Sequence, residues 1–159
     1  MSKVKFVRDN SDNVVIFPSL ICATHSEVSK LLPDDIKSAG FCNFNDGKQI
    51  KTYGNSVSLR KEALETEDKE VLDDYLANEQ LYLILVEEDQ GFELNSWILT
   101  NMSEPSNGWI RYCRFDELDP SFKKVYPLNK DNMMMARDVI FCFDNFDFRD
   151  AIKTFVDNN

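Results

Sequence analysis

The apolar residues of this chain fall in short runs cut apart by turn-forming residues, and that spacing most limits the folds open to it. Residues 4–7 and 14–17 are strand-like runs on either side of a polar, turn-type stretch. They predict an antiparallel hairpin, with Pro18 ending its second strand or placing it at an edge. Residues 40–44 and 50–59 flank Asn45-Asp46-Gly47 and predict a second hairpin. A two-residue Asp-Gly turn would pair Phe44 with Gln49 and Cys42 with Lys51, which buries nothing cleanly. A three-residue loop, with Gly47 left-handed in a bulge, sets Cys42 opposite Ile50 on the face of Phe44, and this register is preferred. Helical spacing appears after each hairpin. Thr24-His-Ser-Glu27 is a capping box that opens a short helix with Val28, Leu31 and Leu32 on one face, stopped by Pro33. Thr66 opens a longer helix with Glu67 and Asp68 in its first turn, an apolar stripe of Val71, Leu72, Tyr75 and Leu76, and Asn78 as C-cap.

The second half continues with a central strand over 81–86, a turn at Asp89-Gln-Gly91 and a partner strand over 92–100. A turn at Ser106-Asn-Gly108 leads to a strand over 109–115. Residues 133–137 suit helix and extended chain equally, and 139–143, apolar on both faces, read as a buried strand. Phe148, Ile152, Phe155 and Val156 have helical spacing, with Asp147 as cap. The expected fold is therefore α+β. A ββαββα unit over residues 1–78 is followed by a mainly antiparallel part over 79–159 that ends in an amphipathic helix. The boundary falls near Asn78, and the two parts can share one core. No sequence repeat or low-complexity segment is present.

Composition limits compartment and partner. No 18-residue apolar stretch exists, and the basic N-terminus lacks the apolar segment of a secretory signal, so the expected location is the cytoplasm. Cysteines at 22, 42, 113 and 142 form no CxxC pair and read as reduced, buried thiols. The chain carries 28 acids and 18 bases, a net charge of −10. Residues 79–159 hold 15 acids against 8 bases, so most of the excess lies in the second half. Direct binding to a nucleic-acid backbone needs clustered Lys and Arg and is not expected. A protein partner with a basic surface is.

Few residues point to chemistry. His25 is the only histidine, so any Cys–His or multi-His site must use it. Cys22 lies three residues away, close enough to be a candidate nucleophile–base pair, but a helix-start imidazole that is exposed or bonded to the backbone is the simpler expectation. One His and four scattered Cys do not make a zinc site. Glu87-Glu-Asp89 with Glu93, Asp116-Glu-Leu-Asp119, and the set Asp144, Asp147 and Asp150 could hold Mg²⁺ or Ca²⁺. None follows the calcium-loop pattern, and solvation accounts for them. With five glycines and no Gly-rich phosphate loop, no nucleotide or other cofactor is expected, nor any metal or catalytic residue. Asn101-Met-Ser103 is a glycosylation sequon without meaning in a cytosolic protein.

The pattern His25-Ser-Glu-Val28, Ile36-Lys-Ser-Ala-Gly-Phe41 and Tyr53-Gly-Asn-Ser-Val-Ser-Leu59, followed by an acidic helix, resembles a group of short bacterial and prophage proteins over residues 3–76. The resemblance implies an α+β unit and an association with mobile elements, and brings no catalytic residues. Residues 79–159 lie outside it. There, Asp116, Glu117 and Asp119 before Pro120, and Asp144, Asp147 and Asp150 around a helix start, are candidates to meet a basic partner. The function expected is an acidic, phage-associated binding protein or inhibitor that occludes a nucleic-acid-handling surface. The alternatives are an enzyme using Cys22/His25 or a carboxylate-bound metal, and a domain that self-associates through a strand edge.

Overall fold

A computed structural model describes residues 4–18, 24–44, 49–87, 94–102, 123–141 and 148–159. Strands β1 (Val4–Asp9) and β2 (Val14–Pro18) form the first hairpin, with Val7 opposite Val15. Its turn contains no glycine. Asp12 takes the left-handed conformation (φ 61°), and the buried Asp9 carboxylate accepts from Ser11 N at 3.0 Å and Asn13 N at 2.8 Å. Helix α1 (His25–Ser29) is capped by Thr24, whose Oγ1 accepts from Glu27 N at 3.1 Å. The helix ends at Ser29, short of the expected Leu31 and Leu32; Val28 is buried within it and Leu32 is buried beyond its end.

Strand β3 (Ile36–Asn43) lies on the far side of β1 and pairs outward with β4 (Lys51–Tyr53). Cys42 faces Thr52, not Ile50, so the pairing is offset by two residues from the register expected from a three-residue loop. A two-residue offset keeps the face, and Cys42, Phe44 and Ile50 are all buried together. The Gly47 turn itself lies outside the described residues. The run 50–59 is not one strand. Gly54 (φ 75°) bends it, and β5 (Asn55–Ser56) turns back through residues 57–60 to pair with β6 (Lys61–Glu62). Gly40 permits the bend: a Cβ there would sit 2.5 Å from the Tyr53 carbonyl oxygen. Helix α2 (Glu65–Ala77) starts one residue before Thr66. Leu64 holds the cap position without a capping side chain, and Asn78 closes the other end.

Strands β7 (Leu81–Glu87) and β8 (Leu94–Thr100) make the next antiparallel pair, and β9 (Lys123–Leu128), which the sequence reading missed, lies on the far side of β7. Helices α3 (Met133–Phe141) and α4 (Phe148–Asp157) follow. The buried strand expected at 139–143 is thus corrected: Val139 and Ile140 belong to α3. Met133, Ala136, Val139 and Ile140 recur at helical spacing and are all buried. Asn132 opens the helix, its side-chain oxygen accepting from Asn129 N at 2.9 Å. The turns expected at 89–91 and 106–108, the strand over 109–115 and the Asp147 cap lie outside the described residues.

The fold is α+β, and the described residues form a seven-stranded antiparallel sheet in the order β4-β3-β1-β2-β8-β7-β9. Two hairpins meet at β2 and β8, and each carries its following strand on the outer side: β3 beside β1, β9 beside β7. The described strands therefore repeat a three-strand plan about the β2–β8 junction, although the sequence shows no repeat. One sheet face packs Phe6, Ile16, Leu83, Trp97 and Leu99 against α2, α3 and α4. On the other, Val7, Val15, Phe17, Ala39, Ile84 and Ile98 form a second layer with α1. At the edge of the described sheet, β9 carries Lys123, Lys124 and Pro127, residues that discourage further strand pairing. No helix among the described residues is long and apolar enough to cross a membrane.

Candidate functional site

Alternation along β1 sends Val4, Phe6 and Arg8 to the face covered by α2. Arg8 therefore carries a guanidinium into the core, where it is 1% exposed. Asp68, on the same helical stripe as Leu72 and Leu76, is buried to the same degree and meets it: Nε donates to Asp68 Oδ1 at 2.8 Å. Ser38 Oγ donates to the same oxygen at 2.7 Å, while Oδ2 accepts from Thr52 Oγ1 at 2.6 Å and Leu64 N at 2.9 Å. Asp68 was expected only as a first-turn acid favoured by the helix dipole. It is instead the buried hub that fixes the start of α2 onto β1, β3 and β4.

Outward from this hub, Arg8 Nη1 reaches Asp12 Oδ1 at 2.7 Å and Glu67 Oε1 at 3.3 Å. Burial pulls the guanidinium pKa down, but the bonds to Asp12 and Asp68 and the nearby Glu67 outweigh it and raise the value, so Arg8 stays charged. Lys37 pairs with Glu67, and this bond, helped by Arg8, holds the Glu67 carboxyl below its usual value. The Tyr75 hydroxyl donates to the Asp12 carbonyl. Its pKa is raised, first by burial and then by Asp12, Asp9 and Asp74 around it. Ser11 Oγ donates to Asp34 Oδ2 at 2.8 Å, and Asn10 N donates to the Asp35 carbonyl at 2.9 Å, which brings the 34–35 loop to the same end of the molecule.

The result is an acidic face built by the first half of the chain. Segments 9–12, 34–35 and 65–74 contain ten carboxylates and one lysine. Asp9 and Asp68 are consumed internally. Asp12, Asp34, Asp35, Glu65, Glu67, Glu70, Asp73 and Asp74 are exposed or half-buried. Of the nearby cations, Arg8 is in the core, Lys37 is held by Glu67, and Lys69 pairs with Asp73 at 2.7 Å. At the far end Glu65 and Glu70 share a shallow groove with Lys51 and Lys69. Among the described residues no three His, Cys, Asp or Glu side chains are grouped to hold a metal ion.

Of the six acids singled out from the sequence, Asp150 is exposed in the first turn of α4. Asp116, Glu117, Asp119, Asp144 and Asp147 lie outside the described residues, as do Cys22 and the Glu88–Asp89 and Glu93 positions. His25 is buried, its Nε2 2.8 Å from the Gly40 carbonyl oxygen and its ring edge-on to Phe17 and Phe41. Burial lowers its pKa, with a smaller contribution from Lys5, against the opposing Gly40 bond. Cys42 is a free, buried thiol whose pKa is pushed well up by burial and by Asp68.

The acidic face was visible in the sequence only as a helix rich in acid. Two signals could have located its anchor. Arg8 occupies an inward position of an alternating strand, and Asp68 stands four residues before Leu72 and eight before Leu76. The chain matches no protein-family model, no curated protein and no solved structure.

Proposed function

We propose that this protein is an acidic protein-binding module that occludes a basic, nucleic-acid-handling surface of a partner, in a mobile-element setting. One observation carries the proposal: eight surface carboxylates on α2, the β1–β2 turn and the 34–35 loop, held on a frame pinned by the buried Arg8–Asp68 pair. Carboxylates fixed on a rigid frame can stand in for phosphates, and a field of one sign speeds encounter with a basic surface. The resemblance of residues 3–76 to prophage proteins supports the setting, and the acids at 116–119 and 144–150 add to the negative charge of the chain.

The test is capture of partners from an extract of the native host by the immobilised chain, beside the variant D34N/D35N/E70Q/D74N. These substitutions remove charge from exposed side chains and leave the Arg8 network untouched. The wild-type chain should retain a basic protein that the variant does not, with retention falling as salt rises. Equal retention by both chains, or retention insensitive to moderate salt, would sink the proposal.

A further inference from the structure

Against the overall acidity, one cleft is basic. It has a volume of about 580 Å³ and lies where β3, the β5–β6 ribbon and the residues before α2 meet. Lys37, Arg60 and Lys61 supply three cations to its lining, and Glu62 is its single carboxylate. Asn55 and Ser56 add polar groups, while Val57 and Leu64 make its apolar part. Val57 is 87% exposed, far more than any other large apolar side chain among the described residues.

The cations are not equivalent. Lys37 is held by Glu67. The Arg60 and Lys61 side chains have no hydrogen bond or ion pair among the described residues, although the chain carries ten more acids than bases. The backbone places them deliberately. Ser56 Oγ accepts from Leu59 N at 3.3 Å, Arg60 N donates to the Val57 carbonyl at 3.3 Å, and the turn so closed holds Arg60 left-handed at φ 54°. Glycine or asparagine adopts that conformation at least cost, and arginine does not. An arginine in this conformation lining the cleft, its guanidinium without a protein partner among the described residues, leaves the fork free to meet an anion.

We infer that this cleft binds a small anion, a phosphate or carboxylate group on a compact apolar body. Arg60 takes two of the anion's oxygens, Lys61 adds a point charge, and Val57 and Leu64 pack against the body. The cleft borders the acidic face at the Lys37–Glu67 pair, but the inference does not depend on what that face binds.

Amide-resolved NMR titration of the full chain tests it, with phenyl phosphate and inorganic phosphate as probes at matched ionic strength. Amides of Asn55, Val57, Arg60 and Lys61 should shift saturably, with phenyl phosphate binding more tightly than inorganic phosphate. The R60G variant keeps a backbone suited to the left-handed turn but loses the fork, and K61Q loses the point charge. Each should weaken phenyl phosphate binding by about tenfold, the scale of one lost charge-assisted contact. An unchanged amide spectrum away from residue 60 would show that R60G keeps the fold. The absence of saturable shifts at about 10 mM probe, an affinity too weak to serve as a site, would overturn the inference. So would shifts centred outside the cleft, or equal binding by the wild type and both variants. Equal affinity for the two probes would overturn the apolar part.

Discussion

Removing either Arg8 or Asp68 strands the other charge in the core, which costs more than losing an ordinary contact. R8A and D68A should each destabilise the protein by about 3–5 kcal/mol in chemical denaturation. The double replacement R8M/D68L should recover part of that loss, because no charge is stranded, but only part, because Ser38 Oγ, Thr52 Oγ1 and Leu64 N lose their acceptor. A double variant as unstable as the sum of the singles would show that the pair is not the coupled unit inferred from its geometry. His25 sets a different dependence. Its folded-state pKa lies below the ordinary imidazole value, so the unfolded chain takes up a proton that the folded chain resists. Stability should therefore fall as pH drops from about 6.5 toward the lower folded value, at no more than about 1.4 kcal/mol per pH unit from this one group. Denaturation midpoints at pH 7, 6 and 5.5 measure it, and H25Q should flatten that slope. Glu67 acts lower: its depressed value gives stability that is present above the usual carboxylate range and lost as pH falls through the folded value.

Elements differ in how far local sequence determined them. The first hairpin, α1 and the apolar stripe of α2 were readable because period, cap and turn residues agree there. The face of the β3–β4 pair was readable too, since Cys42, Phe44 and Ile50 keep their parity in either register. The register itself depends on how many residues the connection uses, which composition alone does not set. Residues 139–141 were misread because α3 ends in consecutive apolar residues, and a short apolar run does not tell a buried helix end from a strand; its exposed positions, Met134 and Asp138, come earlier. Strand β9 escaped because Pro127 and two lysines obscure its apolar positions, features suited to an edge. The acidic site was half readable. The acids of α2 are plain in the sequence, whereas their union with Asp12, Asp34 and Asp35 needs the β1–β2 turn and the 34–35 loop to meet.

At the scale of the molecule, the sheet joins two similarly wired halves through a short contact. Among described residues β2 and β8 share the register pairs Val15–Thr100 and Ile16–Leu99. Asn101 reinforces them, its Oδ1 accepting from Val14 N at 2.8 Å and its Nδ2 donating to Asn13 Oδ1 at 3.2 Å. This asparagine of the sequon is a clasp between the halves. N101A should cost about 1–3 kcal/mol by leaving a buried amide unpaired, and should raise hydrogen exchange at Val14 and Thr100 before that at Leu83. The proposed occlusion requires the acids of α2, the β1–β2 turn and the 34–35 loop to be presented together, and hydrogen bonds join the turn to the loop. Competition on the captured partner tests that claim most directly, with fluorescence anisotropy of a labelled nucleic acid bound to it. Adding the protein should release the nucleic acid, and D34N/D35N/E70Q/D74N should release it poorly. A stable ternary complex, with the nucleic acid still bound at saturating protein, would contradict the account.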